Sequence, residues 1–274
     1  MPPGPQAPPS LDTVPVRFEV LARPSFEGRT ILQSSANWSI LAHGEERAVV
    51  FRFPPGGEPA WVARFRPGVP EVLVTGSPRL VETVEGASAL RASLFAYPLD
   101  QLVVMYLLGR RGFTLHAAGA LVHGRGVAFC GVSGAGKSTL TRLAAGRPGW
   151  EPLSDDRVIV RAGEAGLTLW GTPWSGEGDV AEHRQGPMAQ ILFLEQGSVH
   201  EIRPIPPAQA LSRLLPTASL PWHDAEVLEE ALAACGRVVQ GVPCGVLTFR
   251  PEAGAIEAVE GFLGGPSFPG TRPA

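Results

Sequence analysis

The chain of 274 residues has little cysteine, almost no lysine, no long apolar run and no excess of basic charge. Each shortage excludes something. The three cysteines, Cys130, Cys235 and Cys244, are an odd set at spacings that suit neither a disulfide framework nor a zinc site. Free thiols in a reducing, cytoplasmic compartment are expected. No apolar run reaches the ~18 residues that a membrane-spanning helix needs, and the longest lies between Leu102 and Leu108. Met1-Pro2-Pro3-Gly4-Pro5 lacks the basic and apolar regions of a secretory signal. Lys and Arg number 23 against 26 Asp and Glu, a net charge of −3, so neither nucleic acid nor an anionic membrane is an expected partner. What remains, 44% hydrophobic and 18% charged, suits a globular protein with a proper core.

The shortage of lysine is itself informative. Of the 23 basic residues, 22 are arginine and one is lysine, Lys137. An ammonium is a compact point charge on a flexible stem, and a guanidinium is a broad planar fork. A tight loop wrapped around a phosphate has room for the first and not the second.

Along the chain, residues 1–12 and 264–274 are Pro- and Gly-rich and read as disordered tails. Residues 13–97 form a β-rich region, with strands expected at 16–21, 38–41, 48–53, 61–65 and 71–74 and turns at 54–57 and 67–68. A helix over 99–109, apolar nearly all round, is expected to open the second region (98–263) and to be buried. Strands at 115–122 and 127–130, joined by a turn at 123–126, lead into a helix over 137–145. Strands follow at 151–154, 157–161, 167–170, 190–194, 201–205 and 245–250, with helices at 208–215 and 225–235. The class is α/β with an α+β tendency, without regular βαβ winding.

Gly131-Val132-Ser133-Gly134-Ala135-Gly136-Lys137-Ser138 stands between a strand and a helix, the context that a phosphate-binding loop requires. Glycines let successive backbone N–H groups turn inward around a phosphate, and the helix N-terminus adds unpaired donors. Gly131, Ser133, Gly134, Ala135, Gly136, Lys137, Ser138 and Thr139 are therefore the expected nucleotide-binding residues, with ATP and Mg2+ as cofactors. Lys137 would bridge the β- and γ-phosphates and Ser138 would join the magnesium shell. The plain alternative is a glycine-rich turn with a surface lysine.

Asp155-Asp156 follows the next strand. Magnesium wants carboxylate oxygen and an attacking hydroxyl wants a base, and neighbours on a strand leave it on opposite sides. A solvated acidic turn is the bland reading. His116 is the third candidate: if Val122 faces Val127 across the hairpin, His116 falls level with Ser133, beside the loop. The segment from Trp170 to Gly178, dense in Gly, Pro, Trp and hydroxyls, reads as a shaped loop in which Glu177 either completes the metal site or contacts substrate. Arg184 is a weaker candidate for a phosphate contact.

These residues in this order, Leu115-His116, the loop from Gly131 to Ser138, then Leu153-Ser154-Asp155-Asp156-Arg157-Val158, resemble the catalytic domain of HPr kinase/phosphorylase. That family shares its phosphate-loop fold with the ATP-dependent phosphoenolpyruvate carboxykinases. The chain is also similar to HPr-kinase-like proteins encoded beside peptide-modification systems, lasso-peptide kinases included, which carry a Gly-Thr-Pro-Trp-type loop like that from Gly171 to Trp174. The resemblance covers residues 112–195. It implies that Asp155 is general base on a serine-type hydroxyl, that Asp156 supports the metal, with the two roles exchangeable, and that His116 and Lys137 belong to the same catalytic cluster. The expected acceptor is a serine or threonine of a peptide or protein, or a small hydroxylated molecule. A nucleotide-sensing scaffold is the rival from another class. Acceptor identity, nucleobase and assembly state, a homo-oligomer included, stay open at this point.

Overall fold

A computed structural model describes residues 14–91, 93, 98–164 and 166–264. Of the tails expected at 1–12 and 264–274, residues 1–12 and 265–274 lie outside the described residues, while Gly264 closes the last helix. Contacts divide the chain into two units, Met1–Arg110 with Pro221–Glu230, and Arg111–Leu220 with Ala231–Ala274.

The first unit is built on one six-stranded sheet. Its strands are β1 (Val16–Val20), β2 (Arg29–Gln33), β3 (Trp38–His43), β4 (Glu46–Arg52), β5 (Pro59–Phe65) and β6 (Val72–Gly76), in the order β1-β6-β5-β4-β3-β2. Only β1 runs parallel to its neighbour. Period-two alternation sends Ile40, Val49, Trp61, Ala63 and Val74 to one face, where they share a core with Leu99, Val103 and Tyr106. Leu41, Ala48, Val50 and Val62 cluster on the other. The hairpin β7 (Val81–Val84) and β8 (Ala87–Leu90) follows, then α1 (Leu99–Leu108). The sequence had put α1 at the head of the second region. It belongs to the first unit, because its buried side chains fill that sheet's core. β2 and the β7–β8 hairpin, short and mostly exposed, went unread in the sequence.

One ion pair in this unit is almost wholly buried. Arg47 on β4 is 2% exposed and donates from Nε to Asp224 Oδ2 at 2.6 Å and from Nη2 to Oδ1 at 3.2 Å. Its Nη2 also reaches Glu226 Oε2 at 2.7 Å. Burial pushes the Asp224 carboxyl up, but Arg47 outweighs it and holds the group below the usual carboxylate value.

The second unit is organised by one long strand, β9 (Gly112–Val122). β10 (Arg125–Cys130) returns along it, α2 (Lys137–Ala144) follows, and then come β11 (Trp150–Ser154), β12 (Arg157–Gly163) and β13 (Gly166–Gly171). β14 (Gln185–Gln196), β15 (Glu201–Pro204), α3 (Pro207–Leu214), β16 (Ala218–Ser219), α4 (Ala225–Gly241), β17 (Cys244–Phe249) and α5 (Gly254–Gly264) complete the chain. The class is mixed α/β: most pairings are antiparallel, while β10–β14 and β14–β17 are parallel. Ala118, Phe129, Leu140, Leu192, Leu247 and Ile256 share its core. α5 was not expected; its three glycines masked a buried stripe of Ala255, Ile256 and Val259.

The β9–β10 register differs from the one the sequence suggested. The turn is two residues, His123 and Gly124 at φ 50 and 75, so Val122 faces Arg125 rather than Val127. Two positive φ values suit the right-handed twist of the flanking strands better than a wider turn does. Among the described residues no helix is long and apolar enough to cross a membrane. All three cysteines are buried and free.

Candidate functional site

The glycine-rich loop leaves β10 after Cys130 and ends where α2 begins at Lys137. Gly136 sits at φ 104, and a Cβ there would meet the Phe249 ring at 2.6 Å, so only glycine fits. No side chain caps the start of α2, which leaves its first N–H groups directed into the loop. Lys137 is 8% exposed, and its Nζ donates to the carbonyls of Gly131 at 2.8 Å and Val132 at 3.3 Å. Burial pushes its ammonium down, against the pull of Asp156 and Cys130. Gln196 Nε2 holds the loop from outside by donating to the Gly134 carbonyl.

The two aspartates occupy a break in the β9 ladder. Ser154 pairs with Gly119 and Arg157 with His116, so Asp155 and Asp156 are the residues left out between β11 and β12. Ser154 fixes the bend: its hydroxyl accepts from the N–H groups of Asp156 and Arg157 and donates to the Trp174 carbonyl. From there the two side chains part. Asp155 is 3% exposed and accepts three backbone N–H groups, from Gly176 at 2.8 Å, Gly178 at 2.5 Å and Val180 at 3.3 Å. A Cβ on Gly178 would stand 2.7 Å from its Oδ2, so the Gly-Glu-Gly sequence is what lets the chain come so close. Asp156 is 25% exposed and faces His116 and Arg157 instead.

His116 lies at the point where β9 changes partner. On one side it pairs with Arg157; on the other β10 has just ended opposite Ala117 and the glycine-rich loop begins. Its Nδ1 is 3.0 Å from Asp156 Oδ1, off the hydrogen-bonding direction. Arg157 Nε stands 3.3 Å from Oδ2 in the same fashion. Burial and the Lys137 charge push the His116 imidazole down, against Asp156.

All of this opens on one cavity of about 440 Å3. Of the residues expected from sequence, His116, Ser133, Gly134, Gly136, Lys137, Ser138, Thr139, Asp155, Asp156 and Glu177 line it. Gly131 and Ala135 stand behind the loop, Gly131 offering its carbonyl to Lys137. Arg184 bonds Glu151 and is not among the lining residues. Arg142 lines the cavity and was missed. Its signal was the spacing: four residues after Ser138, one helical turn, from where Nε donates to the Ser138 carbonyl. Among the described residues no three His, Cys, Asp or Glu side chains converge as a metal cage. Ser138, Asp156 and Glu177, the expected metal ligands, all line this one cavity.

No protein-family model matches the chain, and no curated protein sequence matches it. Among solved structures, an Hpr(Ser) kinase/phosphatase from Coxiella burnetii aligns over 54% of this chain and 95% of its own, at 13% identity and a TM-score of 0.32. A likeness of that size carries no conclusion.

Proposed function

We propose that this chain is a magnesium-dependent kinase of the HPr kinase-like type, which transfers the γ-phosphoryl group of ATP to the hydroxyl of a serine or threonine in a peptide or protein. The observation that carries the reading is that the glycine-rich loop, Lys137, Ser138, His116, Asp156 and Glu177 surround one cavity. The loop N–H groups and the open start of α2 offer donors to a β-phosphate. Lys137, turned onto loop carbonyls, would swing to the β- and γ-phosphate oxygens on nucleotide binding. Arg142 adds a cation on the same helix.

Ser138 and Glu177 would hold magnesium together with phosphate oxygens, and the ion would neutralise charge on the transferring group. Of the two aspartates, Asp156 is assigned as base. Three of the four lone-pair directions of Asp155 already accept loop N–H groups, which leaves it to hold the loop that carries Glu177. The acceptor hydroxyl gives its proton to Asp156 while its oxygen bonds to the γ-phosphorus. The bond from that phosphorus to the β–γ bridging oxygen breaks, and ADP departs with the electron pair. His116 and Arg157 steady the Asp156 carboxylate from two sides. The rest is positioning and charge neutralisation.

Calorimetry with Mg-ATP tests the first half. The wild type should bind, and Lys137→Ala should lose roughly 1.5–3 kcal/mol, about ten- to hundredfold, as expected for a charged hydrogen-bond donor. γ-Labelled ATP with serine peptides tests the second half. No uptake of Mg-ATP would sink the reading, and uptake with no labelled acceptor would favour a nucleotide-sensing scaffold.

A further inference from the structure

A second cavity, of about 140 Å3, lies against α2 and is apolar. Its floor is aromatic: the rings of Phe129 and Trp150 stack with centroids 6.1 Å apart at 15°. The one polar atom of Trp150 is occupied, since Nε1 donates to Glu260 at 2.9 Å, so the ring offers the cavity carbon only. Leu140 closes one side. A space of this size takes one benzene-sized or leucine-sized group, and dry apolar cavities of about 150 Å3 are known to do so.

Two features tie it to the cavity above. The loop held by Asp155 forms a wall of both: Gly176 and Glu177 face the polar cavity, and Gly178 and Val180 the apolar one. Arg142 lines both. The face of α2 then decides which substrate it serves. At about 100° per residue, Thr141 and Ala144 fall on the face of Lys137, whereas Thr139 is about 200° round from it. If Lys137 and Ser138 take the terminal phosphates and the metal, as proposed above, the nucleoside end of ATP would leave past Thr139, which lines the polar cavity. The apolar cavity opens on the other face, beside the groups that meet the acceptor.

We infer that this cavity is an acceptor subsite that seats an apolar side chain, of leucine or phenylalanine size, near the serine or threonine to be phosphorylated. This rests on the kinase reading and adds the acceptor's class. A wall of backbone between the two cavities calls for a ligand long enough to place one group in each. A peptide does this, and a small polyol does not.

The test uses the full chain, γ-labelled ATP and a positional-scanning peptide library with a fixed serine and one flanking position varied at a time. Peptides with Leu, Met or Phe at one particular flanking position should be labelled at least tenfold faster than those with Ala, Asp or Arg there. Ala145→Phe, at the exposed rim, and Ala144→Leu, deeper on the helix, should each abolish that preference by filling the cavity. Mg-ATP affinity by calorimetry should stay within about twofold in both. A flat preference, a preference that survives both variants, or no labelled peptide despite Mg-ATP binding would each overturn the subsite. A loss of Mg-ATP affinity in both variants would overturn it too, by giving the cavity to the nucleobase. Absence of Mg-ATP binding in the wild type is a separate outcome, and it removes the kinase reading on which the subsite depends.

Discussion

Asp224 in the first unit and Asp155 in the second are equally hidden, each 3% exposed, yet they are satisfied by different partners. Asp224 meets a guanidinium that is itself buried, and the pair joins residues 177 positions apart in sequence. Both ions have lost their water, so the attraction mainly offsets desolvation, and the result is a fixed position for residues 221–230 rather than a reactive group. Asp155 meets only peptide N–H groups, and what it fixes is a loop. Asp156, one residue on, is a quarter exposed, and its contacts with the His116 imidazole and the Arg157 guanidinium are out of hydrogen-bond alignment. The difference between the units is thus one of commitment. Charges that are buried and fully bonded shape the fold, and charges left half-bonded at a cavity are free to bind and react.

Three substitutions press on that distinction. Asp156→Asn should lower phosphoryl transfer by about 10²–10⁴-fold, the usual worth of a positioned base, with the melting temperature and Mg-ATP affinity nearly unchanged. Transfer at the wild-type rate would remove Asp156 from the chemistry. Arg47→Ala should do the reverse. It strands a buried carboxylate, so the first unit should lose roughly 3–5 kcal/mol, and its melting temperature should drop by roughly 12–20 °C in calorimetry. Replacing both partners, as Arg47→Met with Asp224→Leu, should recover most of the loss. Asp155→Asn should fall between the two. Whichever way its new amide turns, an NH2 faces a backbone N–H, that of Gly178 or those of Gly176 and Val180, costing about 1–3 kcal/mol. Transfer should fall with the loop's order, which hydrogen exchange at residues 176–180 would report. A large loss of transfer with an undisturbed loop would restore Asp155 as the base.

Much of this site is legible in the amino-acid sequence. The glycine-rich loop announces itself because its pattern is local: eight consecutive residues carry the glycines, the ammonium and the hydroxyl. Asp155-Asp156 was visible as a pair, but the different partners of its two carboxylates were not, since nothing in sequence says that Gly176, Gly178 and Val180 return to one of them. His116 was found through a hairpin register two residues out. The histidine still falls beside the loop, because the true two-residue turn sets it level with Gly131, just past the end of β10. The Arg47–Asp224 pair was invisible for the same reason as the loop clamp: its partners are far apart in the chain, and each alone reads as an ordinary surface charge. The boundary between regions was misjudged at α1, whose uniform apolarity signals burial without saying in which core.

The pH dependence of the first unit gives the finest test of the contrast. Burial alone would raise the Asp224 carboxyl, and Arg47 reverses the sign and holds it below its ordinary value. A depressed carboxyl contributes stability that is complete above the unfolded-state value, about 3.9, and is lost as pH falls through the folded one. The wild-type unit should therefore be insensitive to pH near neutrality and weaken below roughly pH 4. In Arg47→Ala the same carboxyl is buried without its partner, so its value rises, and acidification should restore part of the lost stability as the group takes up a proton. The two proteins share every carboxylate, and only Asp224 and the exposed Glu226 lose Arg47, so the difference between their melting curves reports this cluster. It should shrink steadily from neutral pH into acid. A difference constant across that range would mean that Arg47 supports the sheet through packing of its stem and not through its charge.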